Sequence, residues 1–169
     1  HRKDGPAVIY FYQNGKISKE QYFYYDQLHR NDGPASINYN RGNSIDLKEY
    51  FYYGEKHRKD EPAVIFYNKN GSIDLEEYWC FGKKHRENGP AFKHYYKNGL
   101  IKRLIYYYND KKHREYGPAE IFYKNKIINE EEYYFNGIKI NLKDIHFEFP
   151  IDTEEKKLYM NLKYGVIND

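Results

Sequence analysis

Residues 57–84 read HRKDEPAVIFYNKNGSIDLEEYWCFGKK, and residues 85–112 read HRENGPAFKHYYKNGLIKRLIYYYNDKK. Aligned, they place His on His, Arg on Arg, Pro-Ala on Pro-Ala and Asn-Gly on Asn-Gly at a spacing of 28 residues. The unit recurs on both sides. His-Arg opens it at His1-Arg2, His29-Arg30, His57-Arg58, His85-Arg86 and His113-Arg114. Three residues after each Arg stands Gly5-Pro6-Ala7, Gly33-Pro34-Ala35, Gly89-Pro90-Ala91 or Gly117-Pro118-Ala119, and the third unit has Glu61-Pro62-Ala63 instead. Self-similarity at a fixed period is the mark of a repeat architecture, so the fold follows from one unit and its stacking.

After each Ala an alternating run begins, as in Ala7-Val8-Ile9-Tyr10-Phe11 and Ala63-Val64-Ile65-Phe66-Tyr67. Alternation of β-branched and aromatic residues predicts a strand. Ala7, Ile9 and Phe11 fall on one face, repeated by Ala35, Ile37, Tyr39 and by Ala63, Ile65, Tyr67. Asn14-Gly15, Asn70-Gly71 and Asn98-Gly99 then supply the φ > 0 residues of a tight hairpin. The second unit has Gly42-Asn43, and the fifth loses one residue near Asn125-Lys126. A second strand runs from Ile17, Ile45, Ile73 or Ile101 into an aromatic block such as Tyr22-Phe23-Tyr24-Tyr25 or Tyr78-Trp79-Cys80-Phe81. A last turn carries Asp26, Gly54, Gly82, Asp110 or Gly137.

The predicted fold is all-β: an elongated antiparallel meander of five tandem 28-residue two-strand repeats with a short C-terminal helical cap. The repeats are residues 1–28, 29–56, 57–84, 85–112 and 113–139. Residues 140–169 read as a degenerate strand (Ile145, Phe147, Phe149, ended by Pro150) followed by a helix near 153–164. Asp152 and Glu155 have capping-box spacing, Leu158 and Leu162 give an apolar stripe, and Gly165 ends the helix. Such a cap hides the last open sheet edge. Two strands add roughly 9–10 Å of sheet, so five repeats make a ribbon on the order of 50 Å long.

The composition fits thin layers. The chain holds 22 Tyr, 10 Phe and 1 Trp, and its mean hydropathy is −1.07. Tyr is apolar on its body and wet at its hydroxyl, which suits a core one side chain deep. The 28 basic and 25 acidic residues leave a net charge of +3, without the strong field of a dedicated nucleic-acid binder. A single cysteine, Cys80, excludes a disulfide framework within the chain and favours a reducing compartment. No apolar run is long enough for a membrane helix. The chain starts at His1, in phase with a repeat, and is expected to be a fragment of a longer protein. Abundant Lys, Asn, Ile and Tyr point to an AT-rich genome, which drifts from Arg to Lys. Five of the seven arginines nevertheless stand in the His-Arg pairs.

The segment from Gly82 to Gly99, with its glycine turns, recurrent aromatics and Tyr-x-x-Asn-Gly turn, resembles MORN-repeat variants. It is most similar to the loose type of YwqK-like antitoxin components and giant-virus proteins. The resemblance covers roughly residues 1–140 and implies a β-hairpin array used for protein association, with lipid contact proposed for some members. The unit is longer here than the usual MORN unit, and the His-Arg-x-x-Gly-Pro-Ala loop is not a general MORN feature.

Two sets of residues are candidate sites. The first is the ladder His1, Arg2, His29, Arg30, His57, Arg58, His85, Arg86, His113 and Arg114. It is either a row of cationic groups for a polyanion or acidic protein face, or a structural corner. In a corner, Arg would stack on a neighbouring repeat's Tyr or fork to Asp4, Asp32 or Asp60, and His would bond a turn carbonyl. The second is an aromatic face of Phe23, Tyr25, Phe51, Tyr53, Trp79, Phe81, Tyr107 and Tyr134, which is either a binding platform or a second packed layer. Glu20, Glu49, Glu76, Glu77 and Glu130 to Glu132 recur too regularly for a catalytic pair and read as solvated strand faces with cross-strand lysines. No metal set and no cofactor motif occurs: the histidines are 28 apart with no Cys partner.

The expected function is therefore non-enzymatic: a protein–protein interaction or scaffold module. The alternatives are a carbohydrate or other polymer binder using evenly spaced rings, and an anionic-surface (lipid or nucleic acid) binder using the ladder. An intracellular or virion-associated place fits the composition and the resemblance. The sequence leaves the oligomeric state open.

Overall fold

A computed structural model describes residues 5–141. Repeat 1 contributes β1 (Val8–Phe11), β2 (Ile17–Gln21), β3 (Phe23–Tyr24) and β4 (Gln27–Leu28). Repeat 2 follows with β5 (Ser36–Tyr39), β6 (Ile45–Glu49), β7 (Phe51–Tyr52) and β8 (Glu55–Lys56). Repeat 3 has β9 (Val64–Tyr67), β10 (Ile73–Glu77), β11 (Trp79–Cys80) and β12 (Lys83–Lys84). Repeat 4 has β13 (Phe92–Tyr95), β14 (Ile101–Ile105), β15 (Tyr107–Tyr108) and β16 (Lys111–Lys112). The described chain closes with β17 (Glu120–Lys124), β18 (Ile127–Phe135) and β19 (Ile138–Ile140).

Eleven strands form one antiparallel sheet in the order β1-β2-β5-β6-β9-β10-β13-β14-β17-β18-β19. The rest pair as short hairpins, β3 with β4, β7 with β8, β11 with β12 and β15 with β16. The all-β antiparallel meander is thus as expected. The predicted Ile145–Phe149 strand and the capping helix lie outside the described residues. Among the described residues no helix is long and apolar enough to cross a membrane.

The expected two-strand repeat requires correction, because each of the first four repeats has four strands. The second long strand breaks at Tyr22, Tyr50, Tyr78 and Tyr106. Each of these tyrosines donates its N–H to the next repeat's Ala carbonyl at 2.7–2.8 Å. Each also accepts at its own carbonyl the N–H of the next repeat's His, at 3.1–3.2 Å. The break is therefore itself a joint between repeats, and there the chain leaves the main sheet for the short hairpin. The hairpin closes on two residues with φ > 0: Tyr25-Asp26 (44° and 58°), Tyr53-Gly54 (45° and 82°), Phe81-Gly82 (42° and 75°) and Asn109-Asp110 (47° and 66°). That pair defines the type I′ turn that matches strand twist. The aromatic block is not one strand, since in three repeats its last ring belongs to the turn.

The Asn-Gly turns also differ from expectation. In the first repeat only Gly15 has φ > 0, and its N–H bonds the Tyr12 carbonyl at 3.0 Å. The result is a three-residue loop, a type I turn followed by a left-handed residue, which continues into a β-bulge between Tyr10 and Phe11. In the fifth repeat Asn125 and Lys126 both have φ > 0, so the missing residue shortens this loop to two.

Buried side chains occur on both faces of the main sheet. Ile37, Ile65, Leu104 and Ile121 share one face, and Val64, Ile105 and Glu120 share the other. Ala35, Ala63, Ala91 and Ala119 are fully buried at the joints between repeats, where their carbonyls accept the N–H of the strand-breaking tyrosines. On the face of Val64 and Glu120 a thin layer beneath the short hairpins is a zipper of lysines, rings and carboxylates. Lys56 pairs with Glu49 at 3.0 Å and lies over the rings of Phe51 and Trp79. Lys84 pairs with Glu77 at 2.7 Å and lies over Trp79, Phe92 and Tyr107. Lys112 pairs with Glu120 and lies over Tyr134, and Lys139 pairs with Glu132. Burial works against the Lys112 ammonium, yet its bonds to Glu120 and Tyr134 outweigh that and raise its pKa. Of the glutamates read as solvated faces, Glu130 and Glu131 are exposed as expected. Glu49, Glu77 and Glu132 are instead half-buried in this layer, the first two against lysines of the short hairpins. Glu20 and Glu76 are half-buried on the opposite face of the sheet. A cross-strand lysine of the expected kind is Lys93, 3.3 Å from Glu76.

One exchange within the zipper is informative. Glu49 faces Val64 across the sheet, and Glu77 faces Phe92. In the fourth repeat the pair is reversed, with Ile105 facing Glu120. The carboxylate has moved across one ladder step, and Lys112 follows it. Glu120, at 0% exposure, also pairs with Arg103.

Candidate functional site

The His-Arg ladder lies in the loops that join one repeat to the next. His1 and Arg2 fall outside the described residues. The other four arginines share one arrangement. The guanidiniums of Arg30, Arg58, Arg86 and Arg114 lie 3.8–4.1 Å from the ring centroids of Tyr22, Tyr50, Tyr78 and Tyr106, the same tyrosines that break the second strand. The opposite side of the guanidinium is closed by the Gly of Gly-Pro-Ala. A Cβ added to Gly33, Gly89 or Gly117 would meet Arg30, Arg86 or Arg114 at 3.1–3.4 Å. Arg58, Arg86 and Arg114 donate to the carbonyls of Pro62, Pro90 and Pro118 at 3.2–3.4 Å. Arg30 instead donates a single bond, from Nε to Oδ1 of Asp32, at 2.8 Å. In the third repeat Glu61 replaces the glycine and pairs with Arg58. A flat cation between a ring and a glycine is geometry that Lys cannot reproduce.

The histidines do not bond turn carbonyls, as expected for a corner, but accept turn amides. Nδ1 of His29, His57, His85 and His113 receives the N–H of Tyr53, Phe81, Asn109 and Asn136 at 3.1–3.4 Å. The donor is the first turn residue of the next short hairpin, whose left-handed backbone aims its N–H backwards along the array. The second turn residue donates to the carbonyl just before the His, as Gly54 does to Leu28 at 2.9 Å. Each imidazole thereby ties one short hairpin to the next in its neutral, Nε2-protonated form.

A pH dependence follows. Burial holds His57 and His113 below the usual imidazole pKa. The unfolded chain then binds those protons more readily than the folded one. The stabilisation is complete above the unfolded value of about 6.5 and is lost as pH falls through it towards the folded values. Melting temperatures are expected to fall between pH 7 and pH 5, and His57→Ala to flatten that dependence. A melting temperature constant over that range would contradict the assignment.

The predicted aromatic face is two populations. Phe23, Phe51, Trp79, Tyr107 and Tyr134 are half-buried, and the last four lie beside the zipper lysines. Tyr25, Tyr53 and Phe81 sit at the hairpin tips, where Tyr25 is 80% exposed. Between these populations stand rings absent from the predicted face, Tyr24, Tyr52 and Tyr108. Tyr24, His29, Tyr52, Tyr53, His57 and Phe81 form one continuous row with centroids 4.1–6.3 Å apart. A second row runs His85, Tyr108, His113 and Phe135. Cys80 and Asn109 stand at the ring positions between them. The signal for Tyr52 and Tyr108 was alternation: they follow Phe51 and Tyr107, so in a strand they point the other way.

This edge is creased once per repeat. A cleft of about 510 Å³ lies between the loops of Arg30 and Arg58, with Tyr52 on its wall. The next, about 410 Å³, lies between the loops of Arg58 and Arg86, beside Trp79 and Cys80. The third, about 520 Å³, lies between the loops of Arg86 and Arg114, beside Tyr108. His57 and Arg58 border the first and second clefts, and Arg86 borders the second and third. Among the described residues no cluster of three or more His, Cys, Asp or Glu side chains is placed to hold a metal ion.

Comparison with protein-family models, with curated proteins and with solved structures gives no match.

Proposed function

We propose that the chain is a non-catalytic interaction module that holds an extended protein partner lengthwise, repeat against repeat, along the cleft-bearing edge. The observation that carries this reading is the series of three adjoining clefts with shared walls. A surface repeated by translation favours a partner that is itself repeated or extended, and several modest contacts on one chain add to an avid one. The exposed rings of Tyr52 and Tyr108 supply apolar contact at low entropic cost, as interface tyrosines do. The association role that the MORN resemblance implies agrees with this.

An anionic-surface role fits less well. The ladder guanidiniums are already stacked on tyrosines and bonded to loop carbonyls or carboxylates within the chain. The two readings separate on salt. Capture of proteins on immobilised parent chain and on a Tyr52→Ala/Tyr108→Ala double variant, at low and high salt, tests the proposal. It expects a partner that the parent retains at high salt and the double variant loses. Retention by both, or loss from both on adding salt, contradicts it.

A further inference from the structure

We propose that the row of clefts receives a proline-rich segment in the polyproline II conformation, one turn of the segment per repeat. This rests on the lengthwise reading above and names its occupant.

The first argument is pitch. Each repeat adds two strands to the main sheet, as β5-β6 and β9-β10 do. Neighbouring strands lie about 4.7–4.9 Å apart, so the clefts recur every 9.4–9.8 Å or so. Polyproline II has three residues per turn and a rise of about 3.1 Å, hence roughly 9.3 Å per turn. A segment in this form presents an equivalent residue to every cleft. A β-strand does not: three residues cover about the cleft spacing, but its side chains then point to alternate faces. An α-helix of about 5.4 Å pitch also falls out of step. The strand-to-strand twist of the sheet turns the row gradually, and a segment without internal hydrogen bonds follows that curve.

The second argument is chemistry. Pyrrolidine rings dock into aromatic-lined grooves, and polyproline II leaves its own carbonyls unbonded. In the outer clefts Tyr52 and Tyr108 line the wall with 43% and 52% of their surface exposed, and each carries a phenolic O–H donor beside the apolar part of its ring. The middle cleft has Cys80 where they have Tyr. The anchors are therefore the outer clefts, two repeats apart. Two turns of the segment, six residues, separate the prolines that fill them.

Oligoprolines of three, six, nine and twelve residues, titrated onto the chain by isothermal calorimetry, test this. Nine residues reach both anchors and six do not. Affinity is expected to rise about tenfold or more from six to nine through effective concentration, and little from nine to twelve. Tyr52→Ala and Tyr108→Ala, each first shown by circular dichroism to keep the parental fold, are each expected to abolish that step. A repeating Pro-Ala-Ala peptide is expected to bind better than a repeating Pro-Ala-Ala-Ala peptide of equal length. Equal affinity for six and nine residues, or a step untouched by both variants, overturns the proposal. Binding of cellohexaose in place of oligoproline, lost in the same variants, would also overturn it. In that case the edge would still hold an extended chain, of another class. Failure of every probe, together with failure of protein capture by the parent, would remove the lengthwise reading as well.

Discussion

Glu120→Val is expected to destabilise the chain by about 2–4 kcal/mol, at the lower side of the cost of breaking a buried ion pair. Adding Ile105→Glu is expected to restore most of the loss. Glu120 is completely buried and is the shared partner of Lys112 and Arg103. Removing it strands an ammonium between the sheet and the short hairpin, although both cations keep some access to water, which moderates the cost. The second substitution recreates what the second and third repeats already have. There the carboxylate stands on the earlier strand, as Glu49 or Glu77, and an apolar residue, Val64 or Phe92, faces it. Lys112 then meets its partner one ladder step away. Ile105→Glu alone sets a second carboxylate opposite Glu120 and is expected to destabilise. A double-mutant cycle read from urea unfolding measures the coupling between the two sites, which is expected to be favourable and well above the additivity error of about 0.5 kcal/mol. Additive losses would show that the layer is not a transferable lysine–carboxylate zipper.

The repeat, its strand starts and its length were legible because they rest on local signals. Val8, Val64 and Phe92 follow the Ala, Ile17, Ile45, Ile73 and Ile101 begin the second strands, and the short fifth loop falls at Asn125-Lys126. The turns of the short hairpins were legible at Asp26, Gly54, Gly82 and Asp110, all with φ > 0, but the two-residue strands on either side of them were not. Tyr25, Tyr53 and Phe81 occupy left-handed backbone, a region bulky residues rarely adopt, so their triplets read as strand rather than turn. With those strands missed, the layer beneath them was missed too. Glu49, Glu77, Lys56 and Lys84 carry no sequence sign of burial, since a charged pair is buried only where tertiary folding brings the partners together. The Ile105–Glu120 exchange needs the register to be seen at all. The candidate site was legible in part: the spacing marked the His-Arg loops, but not the clefts between them, which require the rings of Tyr52 and Tyr108 to turn away from Phe51 and Tyr107.

The central claim is that each His-Arg loop is the joint that fixes one repeat, and its cleft wall, on the next. Arg58 tests it best, with two copies of the loop on each side in the sequence. Its guanidinium stacks 3.9 Å from the Tyr50 centroid, donates to the Pro62 carbonyl at 3.4 Å and pairs with Glu61. The exposed pair with Glu61 adds little. The stack and the carbonyl bond, with the cost of leaving that carbonyl without its donor, sum to about 1–3 kcal/mol. For a chain of this length that is a fall in melting temperature of roughly 3–10 °C. Arg58→Lys keeps the charge but not the plane, and is expected to recover only part of the loss. The measurement is the melting temperature of Arg58→Ala beside Arg58→Lys and the parent. The order Ala below Lys below parent is predicted, and a parental melting temperature for Arg58→Ala would contradict the claim that the loop is a joint.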